Sequence, residues 1–275
     1  MVLSLYAGSP LLRCTIELDN AATHHRLRLR VPIGGADSFS VAGGPFGPVR
    51  RAVCVPDAGR YPREAPVATA PAHRFVAVAG GEGGLAILAP GFFEYEHTPT
   101  GDLIVTLLRC VGQLSRGDLS TRPGNAGWPM ATPGAQCIGR ERLQLALAPV
   151  SADDIERGAP LTALWEDAFL PPRAIWLRQA TELDPPATGV RLEGEGLVFS
   201  SLKPAADGDG IVFRCYNATG SAVAGRLVFA TPVTAAARVR ADERKPESVP
   251  VDENGSAVDF TAGPHEIVTL LLTPA

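Results

Sequence analysis

Apolar side chains in this chain recur at every second position, which commits most of it to β-strands. In His25-Arg26-Leu27-Arg28-Leu29-Arg30-Val31, the residues Leu27, Leu29 and Val31 fall on one side and the arginines on the other. That is the pattern of a half-buried strand, because successive side chains of an extended backbone point to opposite faces. Arg74 to Val78, Asp102 to Leu108 and Arg142 to Leu147 read the same way. Gly84-Leu85-Ala86-Ile87-Leu88 is an apolar run open to strand or helix, and its flanking glycines and Pro90 favour strand. In the last third, strands are expected near 196–200, 210–216, 225–230, 257–260 and 266–272. Asp207-Gly208-Asp209-Gly210 and Asn254-Gly255 supply hairpin turns. The 29 glycines and 25 prolines punctuate apolar runs and form no low-complexity tract, as short strands joined by tight turns require.

One segment departs from this pattern. Thr162 to Phe169 has an N-cap residue, strong helix formers and a proline stop, and is predicted to be a short helix. Pro171-Pro172 and Pro185-Pro186 cannot sit in central strands. The expected division is a large β domain over 1–180, a Pro-rich linker over 181–188 and a small β-sandwich over 189–275. The chain is thus predicted to be all-β with one short helix near 162–169.

A net charge of −4 and the lack of any basic cluster denser than Pro48-Val49-Arg50-Arg51 argue against nucleic acid as a partner. The amino terminus lacks a basic n-region and carries Pro10 too early for a signal peptide. No apolar run reaches membrane-spanning length, so a cytoplasmic location is expected. The five cysteines are dispersed without a C-x-x-C pair and read as buried free thiols in a reducing compartment.

The residues show no self-sufficient active site. Among His24, His25, His73, His97 and His265 no metal-binding spacing occurs. His24 and His25 would point to opposite faces of an extended chain. Glu94 and Glu96 share one face of a strand, whereas glycosidase carboxyls must flank a bond from opposing positions. They read as a solvated face, and Asp153-Asp154 as a turn or helix start. Nucleophile-elbow and phosphate-loop motifs are absent. Gly80-Gly81-Glu82-Gly83-Gly84 precedes an apolar strand and reads as a hairpin turn.

Leu107 to Gly139 is different in kind: an irregular stretch rich in Arg, Asp, Asn, Gly and Pro. Loops of this length inside a compact chain are usually functional or disordered. Arg109, Arg116, Asp118 and Arg122 could form a structural ion-pair network, since arginine forks bind carboxylates through two hydrogen bonds. They could equally bind sugar hydroxyls, with Trp128 as an apolar face and Asn125 and Gln136 as further polar contacts. Residue chemistry alone leaves the two readings level.

The order of residues here also resembles a known family. Val105-Thr106-Leu107-Leu108-Arg109, Leu114-Ser115-Arg116-Gly117-Asp118-Leu119, Arg122-Pro123-Gly124-Asn125-Ala126-Gly127 and Thr132-Pro133-Gly134-Ala135-Gln136-Cys137 are similar to the C-terminal region of bacterial glycoside hydrolase family 38 alpha-mannosidases. His24 to Arg30 resembles that family's DHRLRVRF strand, with His24 where Asp is usual. Gly84 to Leu88 through Phe93 to Glu96 resembles its GLAVLN…EYEV hairpin, with Ala89-Pro90-Gly91 in place of the asparagine turn. Leu197 to Pro204, Arg214 to Asn217 and Pro264 to Leu270 are similar to its terminal module.

The resemblance implies a large galactose-mutarotase-like supersandwich followed by a small β-sandwich. It implies the non-catalytic half of a retaining, zinc-dependent enzyme, with the nucleophile, acid/base and zinc ligands on a separate N-terminal domain. This chain is then expected to be inactive alone and to hold no cofactor. It would be either an excised piece starting at Met1 or the product of a gene encoding the half by itself. Its expected partners are the missing catalytic domain, an alpha-mannoside and, over the exposed interface, a second copy in a homodimer. Arg109, Arg116, Asp118, Arg122, Asn125, Trp128 and Gln136 become candidates for the sugar rim or the interdomain face. A free-standing carbohydrate-binding sandwich and a mutarotase-like epimerase are the competing readings.

Overall fold

A computed structural model describes all 275 residues except 35–38, 58, 62, 81–82, 92–93, 172–175, 177–188 and 209. The expected linker, 181–188, therefore lies outside the described residues. The chain divides into two compact units. The first is Met1–Gly44, Pro48–Glu156 and Pro160–Leu170; the second is Pro45–Gly47, Arg157–Ala159 and Pro171–Ala275.

The first unit holds a seven-stranded sheet and a four-stranded sheet. The larger runs, in spatial order, Val2–Leu5, Leu12–Asn20, Gly139–Val150, Gly83–Leu88, Phe75–Gly80, Phe39–Gly44 and Gly47–Ala52. The smaller runs Arg26–Val31, Leu103–Arg109, Glu94–His97 and Thr69–Pro71. Sequence alternation maps directly onto the smaller sheet. Leu29, Val31, Leu103, Val105 and Tyr95 turn inward against Cys14, Val76, Val78, Ile87 and Leu145 of the larger one. Its other face carries ion pairs: Arg28 with Glu96, and Arg30 with Asp102, whose carboxylate accepts a hydrogen bond from Nε at 2.8 Å. Tyr95 joins the two layers, its hydroxyl 2.8 Å from the Ser40 hydroxyl in a fully buried contact.

The strand Phe75–Gly80 is buried on both faces, which explains its continuous apolar run. Val76 and Val78 meet the small sheet, while Phe75, Ala77 and Ala79 face a second core with Ile155, Leu161, Trp165 and Phe169. Those last residues come from two helices, Ala152–Arg157 and Ala159–Phe169, where the sequence predicted one near 162–169. The first is capped by Ser151, whose hydroxyl accepts from the Asp154 N–H at 3.0 Å. Gly158, at φ +70°, ends it in the left-handed conformation glycine favours. The second starts earlier than expected because Pro160 fits a helix's first turn, where its missing N–H costs nothing. At its far end Arg13, from the strand Leu12–Asn20, donates to the carbonyls of Asp167 and Ala168.

In the second unit a three-stranded sheet (Val190–Glu193, Val223–Phe229, Ala257–Ala262) and a five-stranded sheet (Leu197–Pro204, Ile211–Asn217, Ile267–Pro274, Val233–Val239, Glu247–Val249) enclose one core. Phe213, Leu227, Val258 and Leu270 lie at its centre. Gly225 leaves room for the Phe260 ring, which lies 2.5 Å from where a β-carbon would stand. The fold is an all-β sandwich architecture, as the alternation predicted. All five cysteines are free: Cys14, Cys110 and Cys215 are buried, Cys54 and Cys137 partly exposed. Among the described residues no helix is long and apolar enough to cross a membrane.

Candidate functional site

The Leu107–Gly139 segment leaves the small sheet through a β-bulge. Thr106 stands opposite Arg28 and Leu108 opposite Leu27, so Leu107 is an extra residue in its strand. A one-residue insertion inverts the facing of everything after it. Leu108 turns inward and is buried, and Arg109 turns outward, opposite Arg26. Glu94 lies between those two arginines, 3.7 Å from Arg26 Nε and 3.5 Å from Arg109 Nη1. It also accepts a hydrogen bond from the Thr106 hydroxyl at 2.6 Å, and its side chain is only 13 % exposed. One covered carboxylate thus steadies two outward guanidinium groups.

Beyond Arg109 the segment is ordered by short ribbons. Gln113–Leu114 pairs with Met130–Ala131, and Asp118–Leu119 pairs with Arg122–Pro123. Ser115, at φ +55°, closes the path between them: its hydroxyl donates to the Gly127 carbonyl at 2.6 Å and accepts from the Gly127 N–H at 2.8 Å. Arg116 grips Asp118 in a fork, Nε to Oδ1 at 2.8 Å and Nη2 to Oδ2 at 2.5 Å. That hydrogen bonding holds the Asp118 carboxyl below the usual carboxylate range and raises Arg116, although both groups are open to solvent. Arg122, largely covered, lies 3.8 Å from Glu64.

The segment ends in a 3-10 turn, Pro133–Gln136, after which Cys137 adopts a left-handed conformation. Gln136 is buried, and its Oε1 accepts from the His24 N–H at 2.8 Å. Asn20 donates to the carbonyls of Gln136 and Cys137 at 3.0 and 2.8 Å. These contacts anchor the segment to the strand Leu12–Asn20 and to the start of Arg26–Val31. Gly112 allows the close approach: a β-carbon there would stand 2.0 Å from His24 Cε1 and 2.6 Å from Gln136 Nε2.

The result is an open cleft of about 490 Å³ onto which His24, His25, Arg26, Arg109, Arg116 and Arg122 converge. A recess of about 570 Å³ shares His24 and Arg116 with it and adds Asp118 and Asn125. Of the candidates named from sequence, Arg109, Arg116 and Arg122 therefore meet at one cleft, and Asp118 and Asn125 at its neighbour. Gln136 sits beneath as an anchor, and Trp128 is 88 % exposed and lines neither. His24 and His25 do not point apart as an extended chain would send them. His24 is left-handed at φ +55°, and both rings reach the same cleft, with His25 Nε2 3.8 Å from Cys110 Sγ.

Sequence reasoning missed Arg26, both histidines and Asn20. Arg26 was legible as one arginine of an outward face, but nothing local says which strand it pairs with. Among the described residues no three His, Cys, Asp or Glu side chains come together in a metal-binding group. The donor set that zinc requires is not found there. Among the described residues, the side chains that line the cleft are mainly cationic and hydrogen-bonding.

Comparison with known proteins bears on this arrangement. Residues 196–270 match the glycosyl hydrolases family 38 C-terminal beta sandwich domain. A Halalkalibacterium halodurans protein provisionally named a mannosylglycerate hydrolase is 32 % identical over 217 residues, 78 % of this chain and 22 % of that protein. The chain also matches the crystal structure of an alpha-mannosidase from Enterococcus faecalis, with TM-score 0.75 at 23 % identity over 98 % of this chain and 28 % of that one. A second Enterococcus faecalis structure, a protein in glycosyl hydrolase family 38, matches with TM-score 0.74 at 22 % identity over 98 % and 29 %. The chain thus spans about a fifth of the length of the curated relative, and at such identities the two structures speak for the fold alone.

Proposed function

On the premise that the chain resembles the C-terminal β-sandwich region of family 38 alpha-mannosidases, we propose that it is the non-catalytic C-terminal part of such an enzyme. The observation that carries this reading is the family 38 C-terminal match over 196–270 together with the similarity to a relative of which the chain spans 22 %. In this reading the retaining, zinc-dependent chemistry belongs to an N-terminal domain, since retaining hydrolysis needs two carboxyls placed across the scissile bond. The cleft around Arg109, Arg116 and Arg122 addresses the sugar site of that domain. The exposed side chains of Leu114, Met130 and Trp128 support a partner surface nearby, the catalytic domain or a second copy of this chain. A mannoside with glycerate as its aglycone, suggested by the relative's name, is the substrate to try first in the complete enzyme.

The test is an assay of the purified chain with an aryl alpha-mannoside and zinc. No turnover is expected, and turnover comparable to a complete family 38 enzyme would overturn the reading. A free-standing sugar-binding module is the second reading, favoured by the bare Trp128 ring. It requires saturable fluorescence changes with mannosides that vanish in Trp128→Phe.

A further inference from the structure

We propose that the arginine-lined cleft is a binding site for a small carboxylate, of the hydroxyacid kind that a glycoside can carry as its aglycone. As to the source of the carboxylate, the inference rests on the functional reading above; as to the site itself, it rests on the walls. Four guanidinium groups and two imidazoles line the cleft, and among the described residues no carboxylate does. The acids that pair with these arginines stand elsewhere: Glu94 behind Arg26 and Arg109, Glu64 beside Arg122, Asp118 in the neighbouring recess. Four cations against three carboxylates leave one positive charge in excess, which a singly charged anion would balance.

The arginines are also held and available. Glu94 approaches Arg26 and Arg109 at 3.5 Å or more, and each guanidinium has five N–H donors, so most of them remain free to bind. Arg26 and Arg109 face each other across a hydrogen-bonded strand pair, which removes part of the ordering cost of binding. Planar forks of this kind match a planar carboxylate through two hydrogen bonds. Gln113 on the same wall offers a partner to hydroxyl groups.

The experiment is calorimetric titration of the 275-residue chain with D-glycerate, glycerol and inorganic phosphate. One saturable site for glycerate is expected, weakening as salt rises. Arg109→Gln and Arg116→Gln should each weaken it about tenfold or more, the scale of one lost charge-assisted hydrogen bond. Arg226→Gln, an exposed arginine paired with Asp259 in the second unit, should leave it unchanged, and thermal melts report whether each variant is folded. A flat glycerate titration overturns the proposal. So does glycerol binding equally well, phosphate binding more tightly, or glycerate binding undiminished in folded arginine variants. The titration needs no catalytic half. A flat result thus removes the site and leaves the C-terminal-part reading standing, while turnover by the chain alone does the reverse.

Discussion

Gly112 and Gly117 lie five positions apart in the same segment, yet a methyl group at each meets different resistance. At Gly112 it would stand 2.0 Å from His24 Cε1 and 2.5 Å from Nδ1, against a ring whose backbone is held by Gln136. At Gly117 it would meet Asn125 Oδ1 at 2.8 Å, the far end of a side chain that can swing away. Gly112→Ala is therefore expected to cost about 1–3 kcal/mol, the usual range for overpacking, and to move the His24 imidazole signals in NMR spectra. Gly117→Ala should stay within about 0.5 kcal/mol of the parent, as ordinary surface changes do. Chemical denaturation of both checks this, and equal stabilities would refute the tight packing of His24. Asp118 belongs to the same scale. Its carboxyl is held low by Arg116, so the pair persists above the ordinary carboxylate range and is lost as pH falls through the depressed value.

At the scale of elements, the bulge at Leu107 decides what the strand Leu103–Arg109 presents. Strict alternation from Leu103 and Val105 would turn Leu107 and Arg109 inward and Leu108 outward. With the extra residue, Leu108 is buried and Arg109 meets Glu94. Deleting Leu107 should remove the bulge while leaving Leu108 opposite Leu27 and Arg109 opposite Arg26. What is lost is the Leu107 side chain, partly buried against the core, so a destabilisation of about 1–2 kcal/mol is expected. Calorimetry of the deletion variant measures it, and a much larger loss would show that the strand needs the bulge itself. Many strands were readable because each has one apolar face. The strands Phe39–Gly44 and Val233–Val239 escaped the reading, being composed largely of small residues whose alternation carries little contrast. Val2–Leu5, Leu12–Asn20, Gly47–Ala52, Thr69–Pro71, Val190–Glu193 and Glu247–Val249 escaped it as well. The helix Ala152–Arg157 escaped as an element, although Asp153-Asp154 was read as a turn or helix start, because six residues are too few to display a helical period.

For the molecule as a whole, the thiols provide a map that spans both units. Burial pushes Cys215 from 9.0 up to about 12, and desolvation also raises Cys14. A raised folded value means that stability is fully present below the unfolded thiol's range and falls as pH climbs from about 9 toward 12. Cys215→Val should flatten that alkaline decline. Native alkylation should mark Cys54 and Cys137 and spare Cys14, Cys110 and Cys215 until the chain unfolds. Prompt labelling of all five under native conditions would contradict the buried positions. By itself, the sequence determined that this chain is built of strands, roughly where many of them run, and which family's terminal half its segments resemble. Those are local properties: a pleated backbone writes its buried face at every second residue, and a motif is a matter of order. Only the tertiary structure decided that His24, His25 and Arg26 share a cleft with Arg109, Arg116 and Arg122. That meeting depends on which strands pair, on one inserted residue that reverses a facing, and on two polar anchors, Asn20 and Gln136. No local period records any of those choices, because each joins residues far apart in the chain.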